Sequence, residues 1–174
     1  MKRYSPAEPL VMLATIVLWL LLATATGALV GTVCSLFLGA LFASEGRLYG
    51  APLWLLALLL PGAGLVNGLL LHYGYRASTS GLDDKPIVAV NEQQGRMPLA
   101  TLWIKPIAAL VTLGCGGSAG KEGPCSHIGA GVAAAVGQVL RLDGELRKRL
   151  VACGVSAGFA SVFGTPIAGA IYGV

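Results

Sequence analysis

The sequence predicts an all-α, polytopic membrane protein with tilted and broken transmembrane helices. Three observations carry this. Of the 174 residues, 55% are hydrophobic and only 11% are charged, against about 25% charged in soluble domains. Mean hydropathy is +0.75. No residue from Pro9 to Ser44 is charged. This balance argues against a soluble enzyme and a nucleic-acid binder, and against a disordered chain, which needs few apolar residues and many charges. The net charge of +4 sits in short basic patches between apolar runs, as in cytoplasmic loops of membrane proteins. The length fits one domain, residues 1–174.

The first apolar run exceeds the roughly 20 helical residues that cross a hydrocarbon core, so it crosses with tilt or overhangs. Lys2 and Arg3, followed by an apolar stretch and Ala23-Thr24-Ala25, imitate a secretory signal. The stretch continues to Ala43, so an uncleaved transmembrane helix is expected. Ser44-Glu45-Gly46-Arg47 breaks it. Leu48 to Leu71 is a second span, with a kink expected at Pro61-Gly62. The polar stretch from His72 to Met97 reads as a loop or short helices.

Beyond Lys105-Pro106, Ile107–Leu113 is apolar but too short to cross. Gly114-Cys115-Gly116-Gly117-Ser118-Ala119-Gly120 ends that helix. A helix is expected from Pro124 to Leu140, then a charged connector from Arg141 to Arg149, then apolar residues from Val151 onward. Gly164-Thr165-Pro166 forms a second interruption. The basic residues Lys2, Arg3, Arg76, Lys85, Arg96 and Lys105 put the N-terminus and the 72–105 segment in the cytoplasm. Small residues recur four apart at Gly27/Gly31, Gly64/Gly68, Gly129/Ala133/Gly137, Gly154/Gly158 and Gly169/Gly173, spacing that lets helices pack closely in lipid. Cys34, Cys115, Cys125 and Cys153 read as small buried residues. They show no C-x-x-C spacing, and His72 and His127 are the only histidines. No metal and no cofactor is implied.

The segment Gly114–Gly131 carries the chemistry. It fails the phosphate-loop pattern, because Glu122 follows Gly120-Lys121 where Ser or Thr is required. No βαβ unit surrounds it, so a dinucleotide fingerprint does not apply. The membrane reading is sharper. A helix starting near Pro124 presents unpaired backbone N–H groups and the positive end of its dipole, both of which attract an anion. The preceding glycines let irregular backbone line a cavity. Glu122 stands at that start: ionised, it occupies the anion's place; protonated, it is free to leave. The alternative is a Lys121–Glu122 surface pair that caps the helix. A cation channel fits poorly, because a helix N-terminus repels cations.

Gly120-Lys121-Glu122-Gly123-Pro124, followed by Ile128-Gly129, resembles the G-[KR]-E-G-P signature of the CLC family of chloride channels and proton-coupled chloride antiporters. The run from Ala157 to Gly169, with Phe163 and Pro166, resembles that family's second signature, and the likeness runs from about Pro98 onward. The resemblance implies that the chain is a single membrane domain, the N-terminal inverted-repeat half of such a transporter, and not an enzyme. Glu122 would be the gating and proton-carrying glutamate, with Gly120, Lys121, Gly123 and Pro124 forming the anion-binding helix start. Ser80, before Gly81, best matches the family's anion-coordinating serine. The flanking glycine and proline are absent there, Asp83 and Asp84 bring acidic charge, and a loop N-cap is the alternative role. The implied partners are chloride or another small anion, protons, the lipid bilayer, and either a second copy or a polypeptide carrying the second half. A fragment or split gene is expected, and the rival reading is a half-chain with only an assembly role. The implied location is a plasma or inner membrane.

Overall fold

A computed structural model describes residues 8–48, 50–78 and 85–173. Among them are seven α-helices and no strand. They are α1 (Glu8–Leu48), α2 (Leu53–Ser78), α3 (Pro86–Asn91), α4 (Thr101–Gly114), α5 (Glu122–Val139), α6 (Gly144–Phe163) and α7 (Pro166–Tyr172). The fold is all-α, as expected.

α1 has 41 residues, about 60 Å at 1.5 Å per residue, roughly twice a hydrocarbon core. Both α1, from Pro9 to Leu48, and α2, from Leu53 to Gly74, are long and apolar enough to cross a membrane. Their leucines and valines are largely exposed, among them Leu10, Leu13, Leu21, Leu58 and Leu65. A soluble monomer rarely exposes so continuous an apolar surface; lipid accommodates it. Only one stripe of α1 is buried: Thr26, Val30, Cys34, Phe37 and Leu41. Steps of three and four put these residues on one helix face. α2 runs through Pro61 and on past His72 to Ser78, and α3 is a short helix within the stretch read as a loop or short helices. It docks on α4, where Asn67 Nδ2 donates to Thr112 Oγ1 at 2.8 Å.

α5 is the centre of the bundle. Cys125, Ser126, Ile128 to Ala134 and Gly137 are all buried. One core side joins Val30, Cys34, Phe37 and Leu41 of α1 to Leu113, Cys125, Ile128 and Val132. The other joins Ala130, Ala133 and Ala134 to Leu150 and Val151 of α6, with Ala89 and Met97. The α5–α6 crossing is built on missing side chains. A Cβ on Gly129 would strike the Gly154 carbonyl, one on Gly154 would strike the Gly129 carbonyl, and one on Gly158 would strike the Cys125 carbonyl. Two backbones at this separation gain dispersion and weak Cα–H···O contacts, which hold helices together in lipid. Gly169 on α7 meets Ala160 and the Ser156 carbonyl in the same way. Gly27, Gly31, Gly64 and Gly68 do not follow: a Cβ on any of them would meet nothing within 4 Å. The spacing is the same, but those residues lie off the buried stripes of α1 and α2.

Two further expectations change. The connector from Arg141 to Arg149 is mostly helix, because Asp143 ends the turn as N-cap and α6 begins at Gly144. Its charges face water in the first turns, where Lys148 Nζ lies 2.8 Å from Glu145 Oε1. That ammonium holds the exposed Glu145 carboxyl below the usual carboxylate range. Arg147, by contrast, is buried, with Nε donating to the Gln94 carbonyl at 3.0 Å and its stem against Gly95 and Gly137. Cys34 and Cys125 are buried, but Cys115 is half-buried and Cys153 is exposed.

The crossing makes a testable statement. Gly154→Val should destabilise the fold by about 3 kcal/mol or more, since backbone atoms rather than flexible side chains obstruct the new group. Gly64→Ala should change stability by no more than about 0.5 kcal/mol. Unfolding of the detergent-solubilised chain, followed by circular dichroism, measures both.

Candidate functional site

The irregular segment between α4 and α5 begins with a helix stop. The Gly117 N–H donates to the Thr112 carbonyl at 2.9 Å and the Gly116 N–H to the Leu113 carbonyl at 3.0 Å, with Gly116 at φ +88°. This is a Schellman ending, and its left-handed residue favours glycine. Ser118 to Gly120 then run without regular structure. α5 starts at Glu122, two residues earlier than expected. Pro124 falls in its third position, still within the first turn that proline tolerates.

Pro124 has no N–H, and the Cys125 N–H donates to the Lys121 carbonyl at 3.4 Å. The N–H groups of Lys121, Glu122 and Gly123 precede the first intrahelical bond, and the Lys121 side chain makes no capping hydrogen bond. Lys121 Nζ sits 4.9 Å above the Phe42 ring centroid, a cation–π contact to α1. Among the described residues it forms no ion pair with Glu122, so the surface-pair alternative is not what the structure adopts. The Glu122 carboxylate folds back over Gly120: a Cβ there would come within 2.6 Å of Glu122 Cδ. Gly120 thus leaves the space that the carboxylate fills. A Cβ on Gly123 would meet nothing within 4 Å.

Glu122, Gly123, Ser126 and His127 of α5 line a cavity of about 740 Å³. Its other walls are Lys85 and α3 residues such as Asn91, Ala152 and Val155 of α6, and Tyr172 of α7 with Gly173. Four helices therefore converge beside the start of α5. Cys34 Sγ donates to the Cys125 carbonyl at 3.8 Å, tying the first turn of α5 to α1. The His127 ring lies one turn beyond Gly123, with Nδ1 3.0 Å from the Gly123 carbonyl.

Gly120, Lys121, Glu122, Gly123 and Pro124 are brought together, as consecutive residues at a helix start must be. Phe163 and Pro166 do not line the cavity. Gly164, at φ +65°, ends α6, and Pro166 opens α7. Phe163 reaches the cavity wall only through Phe159, whose ring lies 4.8 Å from that of Phe163 and 4.1 Å from that of Tyr172, nearly parallel to the latter. Ser80, Lys2 and Arg3 lie outside the described residues. Asn91 and Tyr172 were not legible as site residues, because nothing in their local sequence points to α5. His127 carried the one available signal: a histidine five residues after Glu122, on the same helix.

The described geometry defines a helical membrane protein with an uncapped, glycine-flanked helix start that opens into a cavity. Residues 62–174 match the voltage gated chloride channel family, and the chain belongs to it. The chain is 34% identical over its whole length to a chloride/fluoride channel protein of Pseudomonas syringae pv. tomato, covering 38% of that protein. It is 34% identical over 68% of its length to a putative chloride channel protein of Ralstonia nicotianae, covering 29% of it. An uncharacterized protein of Methanocaldococcus jannaschii is 32% identical over 66% of the chain. The chain spans 28% to 38% of the length of these curated relatives. No solved structure matches. The family match begins well before Pro98, inside α2.

Gly120→Ala separates packing from site chemistry. The obstructing atoms are the tip of a flexible side chain, so unfolding stability should stay within about 0.5 kcal/mol. The Glu122 carboxylate must move, and the carbon-13 shift of that labelled carboxyl should change between the two proteins.

Proposed function

We propose that this chain forms part of a chloride pathway across a membrane, with Glu122 as the gate. One observation carries the reading: the Glu122 carboxylate belongs to the first residue of α5 and folds back over Gly120, at a helix start whose N–H groups no side chain caps. An anion drawn to those donors and to the helix dipole competes with the carboxylate for one place. Gly120, Lys121, Gly123 and Pro124 shape that start. Protonation removes the carboxylate's charge and its claim on the donors, so a proton and an anion exchange there. The relatives' names, channel proteins for chloride and in one case for chloride or fluoride, support an anion as cargo and make fluoride the second ion to test. Ser80 supplies a hydroxyl to the anion from the other side in this reading. The N-terminus and the 72–105 segment face the cytoplasm. A second copy, or a polypeptide bearing the remaining helices, completes the path.

Chloride efflux from liposomes that hold the purified chain, compared with Glu122→Ala across about pH 4.5 to 7.5, tests this. Flux should depend on pH in the parent and lose most of that dependence in the variant, with a tenfold change corresponding to about 1.4 kcal/mol. Equal pH dependence in both would overturn the role of Glu122. Absence of flux from both, with helicity intact and a second-half polypeptide supplied, would instead favour an assembly role.

A further inference from the structure

We infer that the Ser126 hydroxyl is a further anion ligand, donating to a small monovalent anion held in the cavity beside the start of α5. The inference rests on the anion reading of that helix start and adds a side-chain donor to it. Three observations carry it. Ser126 is only 8% exposed, yet it lines the cavity. No described residue shares a hydrogen bond with its hydroxyl. Elsewhere in the bundle, the helical hydroxyls of Thr15, Thr32, Thr112, Ser156 and Ser161 each donate to the carbonyl four residues back. Ser126 leaves the Glu122 carbonyl alone and opens into the cavity instead. A hydroxyl so enclosed needs a partner.

The third observation is direction. A helical Cα–Cβ bond tilts toward the N-terminus, so a side chain covers the turn before its own Cα. For Ser126 that turn begins at Glu122 and Gly123, whose N–H groups have no intrahelical acceptor. Hydroxyl and N–H groups there are all donors, and a hydrogen bond to an ion is stronger than one to a neutral acceptor. The rest of the lining agrees. Lys85, at the start of α3, brings a cation, and Ala152 and Val155 of α6 bring an apolar wall. Glu122 is the one acidic side chain among the described lining residues, and its carboxylate folds back over Gly120. Packing also asks for a small residue at this position, because a Cβ on Gly158 would come within 3.3 Å of Ser126 Cα. The informative variants are therefore Ser126→Ala and Ser126→Cys, which keep the size and lose the strong donor.

Chlorine-35 line broadening on the folded chain in lipid nanodiscs reads the affinity, in a Glu122→Gln background where no carboxylate competes. Ser126→Ala and Ser126→Cys should each weaken chloride binding about tenfold, the size expected for one lost hydrogen bond to a charged acceptor. Helicity by circular dichroism should stay unchanged. Unaltered affinity in the folded alanine variant would overturn the inference. Binding kept in the cysteine variant and lost in the alanine one would overturn it equally, since size and not the donor would then decide. The gate is judged separately. If Glu122→Gln alone binds chloride no more tightly than the parent while Ser126→Ala still weakens binding, the competition fails and the ligand stands. No chloride binding in either background would overturn both.

Discussion

The close crossing of α5 on α6 is the constraint on which the rest depends. Gly129, Gly154 and Gly158 let two backbones meet at a separation that any side chain would prevent. In lipid, where burying an apolar side chain brings no hydrophobic gain between helices, such contact is what fixes their relative position. With α5 held this way, its first turn cannot swing. Glu122, Ser126 and His127 then have fixed directions, and the cavity beside them has fixed walls.

Other contacts extend that constraint to the ends of the bundle. At the water-exposed turn, Arg147 reaches the Gln94 carbonyl and joins the segment after α3 to α6. The buried Arg147 stem fills the space over Gly95 and Gly137, which explains how a charged side chain sits inside the fold: its nitrogen is hydrogen-bonded and its methylenes are packed. At the other end, Gly169 seats α7 on α6, and the Phe159–Tyr172 ring pair carries Tyr172 to the cavity wall. At the start of α5, Pro124 has no N–H to donate and the Lys121 side chain caps none of the neighbouring N–H groups.

The all-α class and the two breaks, at 114–120 and at Gly164-Thr165-Pro166, were legible because glycine and proline act locally. Glu122 at a helix start was legible for the same reason. The helix boundary missed by two residues because proline is tolerated at any of the first positions, so Pro124 marks a first turn and not a first residue. The charged run after Arg141 resembled a connector because water-facing helical turns and loops share a composition. Which glycines pack was hidden: in apolar helices no polar face contrasts with the packed one, so Gly27 and Gly154 look alike. The walls of the cavity come from α3 and α7, far from α5 along the chain, and no local pattern announces such a meeting. Phe163 and Pro166 of the second signature do not line the cavity. In the fold they mark a helix end, at α6, and a helix start, at α7.

The account's central claim is that an anion and the Glu122 carboxylate compete for one helix start. Chloride binding to the folded chain, read from chlorine-35 line broadening beside the Glu122→Gln variant, addresses that claim without requiring transport. The claim predicts that the neutral variant binds chloride about tenfold more tightly, equivalent to about 1.4 kcal/mol, within the reach of a helix dipole and its donors. Equal affinity in the two proteins, both folded, would contradict it.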